Sequence, residues 1–252
     1  MQVPKILKVK DPDAVKDKPL HPHLPQPPAC VLLCSPIRTG KSTLISNMLL
    51  NPAFYGPEFF DSVKIISSTI NNDLTSRFLK EHFDVEDHYD DSMVDQLIEA
   101  QKSFKKADQP EVAVILDDIL GALKSGSRVN TLSARFRHYN IRLLLFSTQV
   151  FRYVSNVVRQ NTTNLIVGSP FPNHKELLKV AEEFGDVVGG QENWLLIYRT
   201  ACQERYDFLH MDLQSNPVKC YRNFTTLISE GEHIVGGEAG NDDGTASSEE
   251  EI

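Results

Sequence analysis

Ala29-Cys30-Val31-Leu32-Leu33-Cys34-Ser35-Pro36-Ile37-Arg38-Thr39-Gly40-Lys41-Ser42-Thr43 is the stretch on which the fold turns. Its first six residues are apolar without interruption, the pattern of a strand buried on both faces. A short loop follows, and from Lys41 to Leu50 the apolar residues take helical spacing. Strand, loop and helix in that order, with Gly40-Lys41-Ser42 at the junction, match the phosphate-binding signature G-x-x-x-x-G-K-S/T. Backbone N–H groups of such a loop converge on a phosphate, and the helix N-terminus adds its partial positive charge. On this reading Ser35, Pro36, Ile37, Arg38, Thr39 and Gly40 cradle phosphates, with Thr43 in the first helical turn. Lys41 reaches the β- and γ-phosphates and the Ser42 hydroxyl ligates magnesium. Ser35 stands where the signature has glycine; a short polar residue is tolerated there provided its backbone avoids positive φ.

Two further apolar runs end in polar groups that suit the same chemistry. Val112-Ala113-Val114-Ile115-Leu116-Asp117-Asp118 reads as a strand closing on two carboxylates. Asp117 would hold magnesium through its water shell, and Asp118 would orient and deprotonate an attacking water. An Asp-Asp pair also serves as a turn or helix cap, and glutamate is commoner at the second position. Ile141-Arg142-Leu143-Leu144-Leu145-Phe146-Ser147-Thr148-Gln149 is a third strand, and Gln149 at its exit would hydrogen-bond the water or the γ-phosphate.

Strands are expected over residues 29–34, 63–67, 112–116, 141–147, 165–168 and 194–198, and helices over 41–50, 73–82, 92–105 and 174–184. Doubly apolar strands that alternate with helices predict an α/β fold, a mostly parallel sheet covered on both sides. Seven prolines in residues 1–28 predict an extended arm before a folded domain at 29–228. Residues 229–252 hold eight acids and no Lys or Arg, which predicts a disordered acidic tail. That tail accounts for the net charge of -8, since without it the chain carries 26 residues of each sign. Nucleic-acid contact must then come from a local patch. No apolar run is long enough for a membrane span and no secretory leader is evident, so a soluble intracellular protein is expected. Cys30, Cys34, Cys202 and Cys220 form no CxxC pair and read as buried thiols.

Between Arg128 and Gln160 there are six arginines, Arg128, Arg135, Arg137, Arg142, Arg152 and Arg159, and no Asp, Glu or Lys. Such a segment calls for anions from elsewhere. Acids elsewhere in the chain would satisfy some; the γ-phosphate of a neighbouring subunit or a nucleic-acid backbone would satisfy others.

Taken together, these strand ends resemble the genome-packaging ATPases of large cytoplasmic DNA viruses and virophages, within the FtsK/HerA superfamily. The resemblance spans roughly Ala29 to Phe224, and its most distinctive part is Arg137-His138 through Gln149 followed by Arg159-Gln160-Asn161. It implies a three-layer RecA-like core of the ASCE type, with ATP and Mg2+ bound between subunits of a homo-oligomeric ring, a hexamer. It further implies double-stranded DNA as the translocated partner, a capsid or other virion protein as the docking partner, and the host cytoplasm or virion as the location. Asp117 and Asp118 become the Walker B pair, Gln149 the sensor, and Arg137 or Arg159 the finger acting in trans, Arg137 being favoured. The rivals are a P-loop kinase or helicase-like enzyme and a nucleotide-binding scaffold for virus assembly.

Overall fold

Alternate residues of β1 (Ala29–Cys34) enter opposite cores. Cys30, Leu32 and Cys34 join one buried cluster, Ala29, Val31 and Leu33 the other. The same two-residue period divides β4 (Val112–Asp117) and β5 (Ile141–Thr148), so every central strand is apolar on both faces. The computed structural model describes residues 20–71, 78–123 and 126–235. The remaining strands there are β2 (Ser62–Ser67), β3 (Asp84–Glu86), β6 (Asn164–Gly168), β7 (Phe208–Asp212), β8 (Lys219–Arg222), β9 (Thr226–Glu230) and β10 (His233–Ile234).

All ten strands form one sheet in the order β10-β9-β8-β7-β6-β1-β5-β4-β2-β3. From β6 to β3 the pairing is parallel, and from β6 to β10 it is antiparallel. The architecture is thus the α/β, RecA-like, mostly parallel sheet expected. Helix α1 (Lys41–Leu50) packs Ile45, Met48 and Leu49 on one face with Tyr55 and Phe60. The other face takes α2 (Asp91–Ser103), α3 (Arg128–Arg135), α4 (Asn156–Asn161), α5 (His174–Phe184) and α6 (Gln191–Ala201). Asp90, Ser127, Ser155 and Asn173 cap α2 to α5 with side-chain oxygens that satisfy otherwise unpaired N–H groups. No helix among the described residues is long and apolar enough to cross a membrane.

Three expectations change. Residues 194–198, read as a strand, lie inside α6. Trp194, Ile197, Tyr198 and Ala201 are buried at helical spacing while Leu196 is exposed, and a five-residue apolar run does not separate the two periods. The segment from Ser229 does not start a disordered tail: β9 and β10 run through it, Ile228 and Ser229 are buried, and the Val235 N–H donates to Ile228 O at 2.7 Å. Glu230 and Glu232 sit at the turn between two short strands whose Ile228 and Ile234 pack on the core, so composition hid a strand; residues 236–252 lie outside the described residues. At the other end, residues 20–28 pack on the body. Leu24 is buried, the Tyr55 hydroxyl donates to Pro25 O at 2.5 Å, and the His23 ring stacks on Tyr221 at 4.4 Å. Residues 1–19, and 72–77 of the helix expected at 73–82, lie outside the described residues.

Candidate nucleotide site

The loop leaving β1 is pinned at both ends. The Ser35 N–H donates to Thr148 O at 2.9 Å, which continues the β1–β5 ladder, and the Leu44 N–H donates to Gly40 O at 2.8 Å, which starts α1. Within the loop the Ser35 and Thr39 hydroxyls are hydrogen-bonded to each other, and Thr39 Oγ1 donates to Pro36 O at 2.6 Å. Arg38 (φ 62) and Gly40 (φ 86) take left-handed conformations, whereas Ser35 is not among the residues with positive φ. The serine side chain is accommodated by a missing one: a Cβ on Gly168, at the end of β6, would sit 2.1 Å from Ser35 Oγ.

Register brings the carboxylates to the same place. Asp117 lies level with Ser67 of β2 and Ser147 of β5, and both hydroxyls donate to it, Ser67 Oγ to Oδ2 at 2.8 Å and Ser147 Oγ to Oδ1. Thr69 Oγ1 adds a longer contact to Oδ2 at 3.4 Å. Asp118 turns back with φ 54, and its N–H donates to Ser147 O at 3.1 Å. Aspartate tolerates this backbone better than most side chains. Because β5 lies between β1 and β4, Gln149 emerges between loop and carboxylates, and its Nε2 donates to Asp118 Oδ2 at 2.9 Å. The Lys41 ammonium is ion-paired with Asp118 and lies 3.5 Å from Asp117 Oδ1. Lys41, Asp118 and Gln149 therefore form one connected, largely buried group.

The donors fit magnesium of the kind that accompanies phosphates. Asp117 is a single oriented carboxylate, Ser42 lines the adjoining cavity, and among the described residues no cluster of three His, Cys, Asp or Glu could cage a metal. Magnesium is ordinarily held by one or two carboxylates plus substrate oxygens and water, which is the set available here. The cavity in front of the loop measures about 610 Å³ and is lined by Pro36 to Arg38, Gly40 to Thr43, Thr69, Asp118, Gln149, Arg205 and Tyr206. Arg205 and Tyr206 arrive from the loop before β7 and had no signal in the sequence, since they meet the phosphate loop only through the antiparallel half of the sheet. The three hydroxyls around Asp117 were also missed; Ser67 and Ser147, each at a strand's carboxyl end, were the available hint.

Of the six arginines, three are paired within the chain: Arg128 with Asp95 at 3.2 Å, Arg142 with Glu111 at 4.0 Å and Arg159 with Glu183 at 2.5 Å. Arg159 also donates through Nε to Val154 O at 3.1 Å. Arg135 and Arg137 are exposed and have no ion pair among the described residues; Arg152, also exposed, lies over the Tyr153 ring at 5.4 Å. Arg137 precedes β5 and Gln149 follows it, so the strand's length, roughly 25 Å, separates Arg137 from its own phosphate loop.

The chain matches the DNA-packaging ATPase B204 of Sulfolobus turreted icosahedral virus with a TM-score of 0.56 and 19% identity, over 78% of this chain and 98% of that one. The two chains share a fold. The genome packaging NTPase B204 of Sulfolobus turreted icosahedral virus 2 matches in complex with sulfate (TM-score 0.54, 19% identity, 77% and 95% covered). It matches also in complex with AMP (0.54, 20%, 77% and 96%). No protein-family model and no curated protein matches the chain.

The cysteines take no part in this site's chemistry. Cys30, Cys34 and Cys220 are buried and all four are free. Burial pushes Cys30, Cys34 and Cys202 up to about 12 and Cys220 to about 11, far from the thiolate range.

Proposed function

We propose that this chain is an ATP-hydrolysing motor that moves double-stranded DNA into a viral capsid as a homo-oligomeric ring. The observation that carries the reading is the convergence of Lys41, Asp117, Asp118 and Gln149 from three adjacent parallel strand ends in front of one phosphate loop. Asp118 holds Lys41. A triphosphate in the cavity takes the ammonium for its β- and γ-oxygens, which frees the Asp118 carboxylate to accept a proton from water. Gln149, already donating to Asp118, orients that water and senses the γ-phosphate. Ser42 and Asp117 would hold magnesium, which would supply positive charge to the phosphate oxygens. Arg137, with no ion pair among the described residues and remote from its own loop, supplies charge to a neighbour's γ-phosphate, which makes ring assembly part of the catalytic site. Arg159 is occupied by Glu183 and serves its own subunit. The setting is the host cytoplasm or the virion.

Displacement of a third strand from linear double-stranded DNA tests this. Wild-type protein with ATP is expected to strip the triplex and Lys41→Ala protein is not. ATP hydrolysis without displacement would leave a P-loop ATPase and overturn the DNA motor.

A further inference from the structure

Beside the phosphate cavity lies a second one of about 420 Å³, walled by Leu33, Leu44, Phe54, Phe208 and Tyr206. The two share Gly40, Lys41, Thr43 and Tyr206, so a group in the second cavity is within a few bonds of a phosphate in the first. Leu44, Phe54 and Phe208 pack on the buried core, whereas Tyr206 stands apart from it. Tyr206 is 54% exposed, with a ring atom 3.4 Å from where a Cβ on Gly40 would stand. Its backbone has φ 75, unusual for a bulky residue.

That conformation is imposed by a buried staple. The Asp207 carboxylate accepts from the N–H groups of Gln203 at 3.1 Å and Glu204 at 2.8 Å, from Asn223 Nδ2 at 2.7 Å and from Arg222 at 2.8 Å. Strained backbone persists where its surroundings over-determine it, and here the result is an aromatic ring projected beside a phosphate loop. The Arg205 guanidinium, 4.9 Å from the Tyr206 ring centroid, lines the phosphate side.

We infer that the second cavity takes the base of the bound nucleoside triphosphate and holds it by packing against Tyr206 rather than by a hydrogen-bond code. This deepens the nucleotide reading above and rests on it. Of the polar side chains on the cavity's α1 wall, Lys41 and Thr43 also line the phosphate cavity, and Asn47 is already engaged: its Nδ2 donates to Thr43 O at 2.9 Å and its Oδ1 accepts from Asn51 at 3.3 Å. A site of that kind reads shape and stacking, so it accepts adenine and guanine alike.

Calorimetric binding to the full chain separates the possibilities, with non-hydrolysable ATP and GTP analogues and inorganic tripolyphosphate as probes. Tyr206→Asn removes the ring with a residue that accepts the left-handed backbone, and Tyr206→Phe keeps the ring. The Asn variant is expected to lose roughly tenfold or more for both analogues and nothing for tripolyphosphate, with Phe restoring wild-type affinity. Equal losses for analogue and tripolyphosphate, or no loss at all, would overturn the base site. So would wild-type protein that binds tripolyphosphate as tightly as the ATP analogue, or that rejects the GTP analogue, with the phosphate loop still standing. Wild-type protein that binds none of the three overturns the phosphate loop and the base site together.

Discussion

Gly168→Ala is the sharpest test of how the phosphate loop tolerates a serine at its first position. The new methyl would stand 2.1 Å from Ser35 Oγ, 3.0 Å from Ser35 Cβ and 3.5 Å from Thr39 Oγ1. Rotating the serine relieves the first contact but surrenders its bond to Thr39, and the contact between the two β-carbons remains. Ser35 and Thr39 are both buried, so the loop or β6 must move. Overpacking of this kind costs about 1–3 kcal/mol. If the loop gives way, nucleotide affinity falls roughly 5- to 150-fold, at about 1.4 kcal/mol per factor of ten. If β6 gives way, the same cost appears in the denaturant midpoint. Titration with a non-hydrolysable ATP analogue, alongside urea unfolding, reads both. The double variant Ser35→Gly/Gly168→Ala moves the side chain from one strand end to the other and is expected to recover most of the loss, a coupling that two independent sites would not give. A Gly168→Ala protein as stable and as tight-binding as wild type, or a double variant no better than the single one, refutes the reasoning.

Four other outcomes follow from the geometry. Asp118→Asn removes the carboxylate that holds Lys41, so ATP should bind at least as tightly as to wild type while hydrolysis falls about a hundredfold or more; weaker binding would contradict the competition for Lys41. Arg137→Ala should abolish turnover in pure rings, yet mixing it with Lys41→Ala protein should restore activity, since each supplies what the other lacks. Arg159→Ala should instead cost about 1 kcal/mol of stability with its Glu183 partner and show no such complementation. His210, whose Nε2 meets Asn164 Nδ2 at 3.2 Å, is pushed by burial down to about 3. The unfolded ring takes a proton near pH 6.5 and the folded one does not, so this group's stabilisation is full above that pH. It is lost as pH falls toward 3, at about 1.4 kcal/mol per unit. His210→Phe should flatten that slope between pH 6.5 and 4.5 in denaturant unfolding.

The central parallel strands were legible because burial on both faces leaves an uninterrupted apolar run, as in Ala29–Cys34 and Val112–Asp117, with polar residues only where each strand leaves the sheet. Their order carried Lys41, Asp117, Asp118 and Gln149 to one place, so the middle of the site could be read from spacing alone. The antiparallel extension could not. Its strands are short, and β9 ends on Ser229 and Glu230, which composition assigned to a tail. Everything that depends on that half was therefore hidden, including Tyr206 against Gly40, Arg205 in the phosphate cavity and the Asp207 staple. The fit of Ser35 to Gly168 is a matter of register, Cys34 of β1 lying opposite Val167 of β6, and no local pattern records it. Likewise the arginine-rich segment showed a shortage of counter-charges, but only the fold tells Arg159, beside Glu183, from Arg137.

The most direct test of the account is ATP hydrolysis by purified protein with and without linear double-stranded DNA, compared between wild type and Lys41→Ala. The account predicts turnover that double-stranded DNA stimulates and that the lysine substitution abolishes under both conditions. Turnover indifferent to DNA, or retained without Lys41, would contradict it.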